Sequence, residues 1–343
     1  MLMTVLFIFR WLILYLADYY RADSNQFHSS SDGRKVNVSV DSLLSSYSFK
    51  YFGKDKGVTI YTFIDERQLL YHVTVISASE REAAYVIDGL LQNDVLKSNI
   101  HSTDTHGFTE TVFAATYFIG TAFAPRIKNI GDQTIYSFVS KQTYEKRGYK
   151  ILPSRTINLK LIKNHWDDIL RFMVTIKLKH TTASQLFKRL SSYAKDHPLY
   201  QALKEFGRII KSIYVLTYLD DVEFRQRIEK QLNKGELSNK FSKAVFFANN
   251  QEFTQSVKEE QQMTAACTVL IQNAIVLWNY LYLSQALASN SDPTDQARMA
   301  GSIKRGSVIA WSHVNMQGEY DFTKVSINDT QFDMGKILKL SIV

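Results

Sequence analysis

The order of strand-like and helix-like segments in the first half of the chain constrains its fold more than any other feature. Segments typical of strands lie at residues 57–65, 69–77, 96–104, 123–127 and 133–139. Two segments with helical spacing of apolar residues fall between them, at residues 83–91 and 108–120. The capping-box pair Ser79 and Glu82 precedes the first helix, and Gly120 ends the second. The order predicts a hairpin followed by βαβ connections, which bring the carboxyl ends of strands to one crevice.

Two aspartates fall at the edge of the sheet where such strands end. Asp104 closes the strand segment 96–104, and Asp32 lies in or beside the first strand. Acidic side chains that come together from separate segments are suited to a hard divalent cation. The neighbouring His101 and His106 allow a histidine metal site, and Ser102 allows a hydrolase triad. No HExxH helix and no nucleophile-elbow glycines support either alternative.

Glu236 is the best candidate for a third acid. It shares one face of a helical segment with Lys240 and Lys243, and apolar residues at positions 237, 241, 244 and 245 form the opposite face. An acid beside two lysines suits a site that holds both a metal ion and a phosphate. The alternative is a solvated glutamate at a helix start, which the helix dipole favours in any case. Glu259 and Glu260 are rivals on the same grounds.

The charge of the chain favours a polyanionic partner. The 41 Lys and Arg against 33 Asp and Glu give a net charge of +8. Basic residues recur in the helical segments that begin near residue 155, where they form either a phosphate-binding surface or ordinary solvated helix faces. The single cysteine, Cys267, excludes an internal disulfide framework and a cysteine zinc cluster, and it fits a reducing compartment.

Two apolar runs raise the question of a membrane. The first, residues 1–16, is short for a membrane span and is interrupted by Arg10, so we expect a helix whose apolar face packs on another surface, either in this chain or in a part missing from it. The second, residues 264–288, is long enough to span. Its central Gln272, Asn273 and Asn279 are costly in lipid, which favours a buried helix in a soluble core. A membrane anchor in residues 1–16 is the less favoured alternative.

An ordered set of motifs resembles a known family. The chain contains SSSDGRKV, YFGKDKGVTIYTFIDE, EREAAYVIDGLL, HSTDTHGFTETVFA, FAPRI, LNKGELSNKFSKAVFF, NAIVLWNYLYLSQAL and SHVNMQGEYDF, in that order. From about Ser29 to Phe322 they resemble the C-terminal catalytic region of the Tn3-family replicative transposases, bacterial enzymes of the DDE class. The resemblance implies an α/β fold with a ribonuclease-H-like mixed sheet. It also implies a helical insertion before the last catalytic acid and a helical C-terminal part.

The resemblance further implies the site and the reaction. Asp32, Asp104 and Glu236 match the three acids that bind two Mg²⁺ ions, for which Mn²⁺ would substitute. The implied reaction is cleavage of one strand at each transposon end, followed by transfer of the freed 3′-hydroxyl into target DNA to form a cointegrate. The candidate DNA contacts are Lys240, Lys243, Arg126 and His101. The expected partners are end and target DNA and, on DNA, further copies of the chain. We expect a bacterial cytoplasmic, nucleoid-associated protein without stable membrane association.

The resemblance also sets an expected domain organisation. Family members carry N-terminal domains that recognise the terminal inverted repeats, and the stretch before Asp32 matches the family poorly, so we expect a truncated copy. The expected parts are an apolar leader left from the upstream region (1–28), the first part of the ribonuclease-H-like core (29–150), the helical insertion (151–225) and the C-terminal helical part (226–343). A catalytically inactive DNA-binding remnant or a regulator of transposition is the alternative function.

Overall fold

The computed structural model describes residues 12, 15–21, 26–93, 96–105, 108–192, 197–319 and 332–340. The strands are β1 (His28–Asn37), β2 (Ser46–Tyr47), β3 (Lys56–Asp65), β4 (Leu70–Ser77), β5 (Ile100–Ser102), β6 (Ala122–Phe123), β7 (Tyr136–Ser137) and β8 (Arg155–Thr156). The helices are α1 (Phe49–Phe52), α2 (Ala83–Leu91), α3 (Glu110–Ile119), α4 (Lys141–Lys146), α5 (Leu159–Asn164), α6 (Trp166–Lys177), α7 (Ala183–Ser192), α8 (Pro198–Asp220), α9 (Val222–Val245), α10 (Lys258–Ser289), α11 (Pro293–Arg305) and α12 (Met334–Lys339).

The main sheet is mixed, as expected for this fold class. Its strand order is β2-β3-β1-β5-β6, and β4 also pairs with β3. The predicted hairpin is confirmed, because β3 and β4 pair antiparallel along nearly their whole length. In contrast, β5 runs parallel to both β1 and β6, as βαβ connections require. The α/β fold class that the strand order and the resemblance predicted is therefore confirmed.

The chain forms two compact units, and neither is a single continuous stretch. Among the described residues, unit 1 takes those within Met1–Phe27, Gly33–Ser79 and Asn233–Val343, and unit 2 takes His28–Asp32 and Glu80–Leu232. Strand β1 and helix α9 each contribute residues to both units. The expected domains were continuous ranges, and their boundaries stay a prediction.

Unit 2 is built around the parallel strands and a close helix pair. Helix α3 packs against α8. Gly207 on α8 allows this approach, since a Cβ at that position would lie 1.7 Å from the carbonyl oxygen of Glu110. The ring of Phe113 on α3 is fully buried between Phe123 and Tyr214, with ring centroids 5.0 and 5.5 Å away. Helices α5 to α8 occupy the block in which the resemblance predicted a helical insertion.

Unit 1 is built on the hairpin and the long helix α10. Helix α10 packs on β4, and the core beneath includes Val36, Val58, Ile60 and Phe253. The side-chain amide of Asn273 on α10 makes two hydrogen bonds to the backbone of Leu70. Its Nδ2 donates to the carbonyl oxygen of Leu70 at 2.8 Å, and its Oδ1 accepts from the backbone amide of Leu70 at 3.1 Å. This pairing satisfies both polar groups of a buried side chain.

The described helices include one, α10, that is long and apolar enough to cross a membrane. The amides of Gln272 and Asn279 are buried, as that of Asn273 is. Gln272 donates to the carbonyl oxygen of Ser238, and Asn279 donates to those of Val308 and Ala310, at 2.8 to 3.0 Å. These contacts agree with the expected buried helix of a soluble core.

Two local expectations differ from the structure, and one contact of the leader is added. The prediction of a capping box is wrong. Helix α2 begins at Ala83, directly after Glu82, and no side chain caps its N-terminus. The hydroxyl of Ser79 hydrogen-bonds to that of Ser77 instead. Strand β5 ends at Ser102, two residues before Asp104. The end of the leader packs within this chain, since Tyr20 is buried, contacts Ser284 at 2.8 Å and stacks on Tyr280. Residues 1–11 lie outside the described residues.

Candidate active site

Asp32 and Asp104 lie towards the same end of two neighbouring parallel strands. Strand β1 pairs with β5 so that Ser30 faces Ser102. Two residues further along each strand direction are Asp32 and Asp104, and both belong to unit 2. Asp32 lies within β1, so strand alternation places it on the same face as Ser30, whereas Asp104 lies two residues beyond the end of β5. Both side chains are only partly buried. The meeting of the two carboxylates, which the sequence predicts, stays a prediction.

A polar layer lies on the same face of the sheet as Asp32. His28 Nε2 and Ser102 Oγ form a hydrogen bond of 2.8 Å across the two strands. The side-chain Nε2 of Gln231 on α9 donates to Ser30 Oγ at 3.2 Å, and the backbone carbonyl oxygen of Gln231 accepts from the same hydroxyl at 3.4 Å. All four residues are buried. These contacts fix the strands that lead to the two aspartates.

His101 belongs to the opposite face of the sheet and is fully buried. Its Nδ1 and Nε2 hydrogen-bond to the hydroxyls of Ser29 and Ser31, at 2.8 and 2.9 Å. Burial first, and the nearby His28 second, lower the pKa of His101 to about 3. A buried, neutral histidine does not reach DNA, so the DNA-contact role expected for His101 is corrected to a structural one. The physical reason is strand alternation, which turns the side chain of His101 away from the face on which Ser102 lies. His106 lies outside the described residues.

The backbone of Arg126 is hydrogen-bonded to the residue that precedes Asp104. Its amide donates to the carbonyl oxygen of Thr103 at 2.9 Å, which continues the β5–β6 pairing beyond the strand ends. Its guanidinium is partly exposed and forms an ion pair of 3.4 Å with Glu229 on α9. Sequence reasoning missed Glu229, although it precedes Glu236 by two helical turns on one helix, which is a spacing that places both on one face.

Glu236 is an exposed residue of α9 in unit 1. Lys240 and Lys243 are also exposed, whereas Phe241 is buried and stacks on Trp311 at a centroid distance of 4.9 Å. The expected polar and core faces of this helix are therefore present. The rivals Glu259 and Glu260 lie exposed in the first turn of α10. The assignment of Glu236 as the third acid stays a prediction.

The aspartate pair is suited to metal binding, although it is not a complete site. Two carboxylates supply hard oxygen ligands of the type that Mg²⁺ and Mn²⁺ prefer. Within the part of the chain that the structure describes, no group of three or more His, Cys, Asp or Glu residues could hold a metal ion. The donor chemistry of Asp32 and Asp104 fits a divalent ion, and it requires further ligands.

Comparison with known proteins decides the family. The model of the Tn3 transposase DDE domain matches residues 12–320. The chain belongs to this family. Its match begins at residue 12, which corrects the expectation that the stretch before Asp32 resembles the family poorly.

Curated relatives support the same assignment. The chain is 34% identical over 309 residues to the transposase for transposon Tn1546 of Enterococcus faecium, covering 88% of the chain and 30% of that protein. It is 36% identical over 296 residues to the transposase for transposon Tn501 of Pseudomonas aeruginosa, covering 85% and 29%. The transposase for transposon gamma-delta of Escherichia coli K12 is 30% identical over 86% of the chain. The chain thus spans about three tenths of the length of these relatives.

Proposed function

We propose that this chain is the catalytic domain of a DNA transposase that cuts transposon ends and joins the freed 3′-hydroxyl to target DNA. The observation that supports this proposal is the position of Asp32 and Asp104 towards the same end of neighbouring parallel strands in a DDE-family chain. We also propose replicative, cointegrate-forming transposition, by analogy with the motifs that carry the resemblance.

The chemistry of the proposed site assigns roles to the chain's own groups. Asp32, Asp104 and Glu236 would hold two Mg²⁺ ions, which when bound supply charge that stabilises the attacking and leaving oxygens of an in-line displacement. The Gln231–Ser30 hydrogen bond on the same face of β1 would help to position Asp32. Arg126 offers a partly exposed cation beside Asp104, suited to a phosphate oxygen. The exposed Lys240 and Lys243 would contact the DNA backbone.

The test is metal-dependent nicking of labelled transposon-end DNA. The full chain is incubated with Mg²⁺ or Mn²⁺ and end DNA, and Asp32→Asn and Asp104→Asn are compared with Asp132→Asn, an exposed aspartate outside the site. We expect nicking in the wild type and in Asp132→Asn, and at least a hundredfold loss in each site variant. Each Asp→Asn change removes a charge and keeps the shape, so the fold should persist.

A thermal shift measures the metal-ligand assignment separately. Mn²⁺ should raise the melting temperature of the wild type and of Asp132→Asn, and it should raise that of Asp104→Asn much less, because ligand binding stabilises only the folded state that binds it. Equal shifts in the wild type and in Asp104→Asn would remove Asp104 from the metal site.

The alternative function is a DNA-binding remnant or regulator of transposition that makes no cuts. The net charge of +8 and the exposed lysines suit it equally well. DNA binding without nicking under every metal condition would leave this alternative in place. We further propose assembly of several copies on DNA and a bacterial cytoplasmic, nucleoid-associated location.

A further inference from the structure

The segment between β1 and β3 presents three aromatic rings to solvent. Tyr47 is 68% exposed, Phe49 is 85% exposed and Tyr51 is 50% exposed. The support beneath them is ordered: β2, which carries Tyr47, pairs antiparallel with β3. The buried Phe52 packs so closely on Gly57 that a Cβ there would lie 2.3 Å from its ring. The rings are therefore held at the surface by strand pairing and by a packed anchor, at the cost of leaving apolar area in water.

Lysine side chains lie over two of these rings, those of Tyr47 and Tyr51. Lys56 Nζ lies 5.0 Å from the centroid of the Tyr47 ring. Lys50 Nζ and Lys35 Nζ lie 5.0 and 5.4 Å from the centroid of the Tyr51 ring. We call this set the aromatic–lysine surface, and it consists of Tyr47, Phe49, Tyr51, Lys35, Lys50 and Lys56. All of it belongs to unit 1.

We propose that the aromatic–lysine surface binds unpaired bases of DNA. Aromatic rings stack on exposed bases, and interleaved cations contact the phosphates between them, which is how proteins bind single strands without reading their sequence. A protein partner fits less well, because the centres of protein interfaces are depleted in lysine and here three lysines touch the rings. The proposal rests on the proposed function for the identity of the polyanion as DNA. It adds a surface that is separate from the aspartate pair.

The test compares two DNA probes in EDTA, so that binding is measured without cleavage. One probe is a fluorescein-labelled duplex with a central unpaired bubble, and the other is the fully paired duplex of the same length. Tyr47→Ala/Phe49→Ala should weaken binding to the bubble about thirtyfold or more, because two stacking rings are lost. Binding to the paired duplex should change less than twofold.

Two further variants serve as controls. Phe138→Ala removes an aromatic ring of similar exposure, 59%, from unit 2 and should leave both affinities unchanged. Phe49→Trp preserves a stacking ring and should bind the bubble at least as tightly as the wild type. A loss of bubble binding in Phe49→Trp would overturn the proposal, since it would trace the effect to packing.

The proposal is also overturned if the double variant loses affinity equally for both probes, or for neither. A change in its oligomeric state without DNA, measured by light scattering, would assign the surface to contact between copies and reject a DNA role. Failure of the proposed function is distinguishable, because nicking by the wild type is assayed with metal and this binding is assayed without it.

Discussion

At the scale of single residues, His101 shows how a conspicuous motif can be structural. It sits three positions before Asp104, and it was one of the candidate DNA contacts. The fold buries it completely between Ser29 and Ser31 and keeps it neutral, with a pKa lowered to about 3 by burial. Below the ordinary pKa of 6.5, the unfolded chain binds a proton that the folded chain does not bind. Stability contributed by this site is therefore complete above pH 6.5 and is lost as the pH falls towards 3.

We predict that lowering the pH from 7 to 5 destabilises the wild type by about 2 kcal/mol more than it destabilises His101→Asn, because each pKa unit is worth about 1.4 kcal/mol. Melting temperatures at both pH values measure the difference. His180→Asn, a change at an exposed histidine, should keep the wild-type slope. An unchanged slope in His101→Asn would mean that His101 is not the group responsible.

At the scale of elements, the helix pair α3–α8 depends on one missing side chain. A Cβ on Gly207 would lie 1.7 Å from a backbone oxygen, so Gly207→Ala must move one helix away from the other. The helix propensity of alanine offsets only about 1 kcal/mol of this strain. We predict a net loss of about 1–3 kcal/mol in stability, seen as a lower melting temperature. Gly131→Ala, where nothing lies within 4 Å of the added Cβ, should melt close to the wild type.

Elements whose patterns are local were predictable from the sequence, and contacts distant along the chain were not. The content of β-branched and aromatic residues located β3 and β4, and Gly120 correctly ended α3. The parallel pairing of β1 with β5 agrees with the expectation that the two aspartates belong to neighbouring strands, and the meeting of their carboxylates stays a prediction. The capping box failed because hydroxyl groups are also satisfied by local turns. The hydrogen bonds between Asn273 and the Leu70 backbone join residues 203 positions apart, and no local sequence pattern predicts them.

At the scale of the whole molecule, the residues expected to attract DNA differ from those proposed to hold metal ions. The excess of 41 basic over 33 acidic residues should drive sequence-independent DNA binding. If about six phosphates are contacted, affinity for duplex DNA should fall about 10³-fold between 50 and 200 mM salt. Asp32 and Asp104 oppose this attraction, because each is an acid at the place where a phosphate is proposed to react.

We therefore predict that Asp32→Asn/Asp104→Asn, measured by fluorescence anisotropy without divalent metal, binds duplex DNA at least as tightly as the wild type. The same variant should lose metal-dependent nicking, because the carboxylates that hold the metal are gone. Asp132→Asn provides the matched change of charge outside the site. Weaker DNA binding by the double variant, with the melting temperature unchanged, would show that the two aspartates support the DNA-binding surface itself. It would count against a site in which they serve only to hold metal ions.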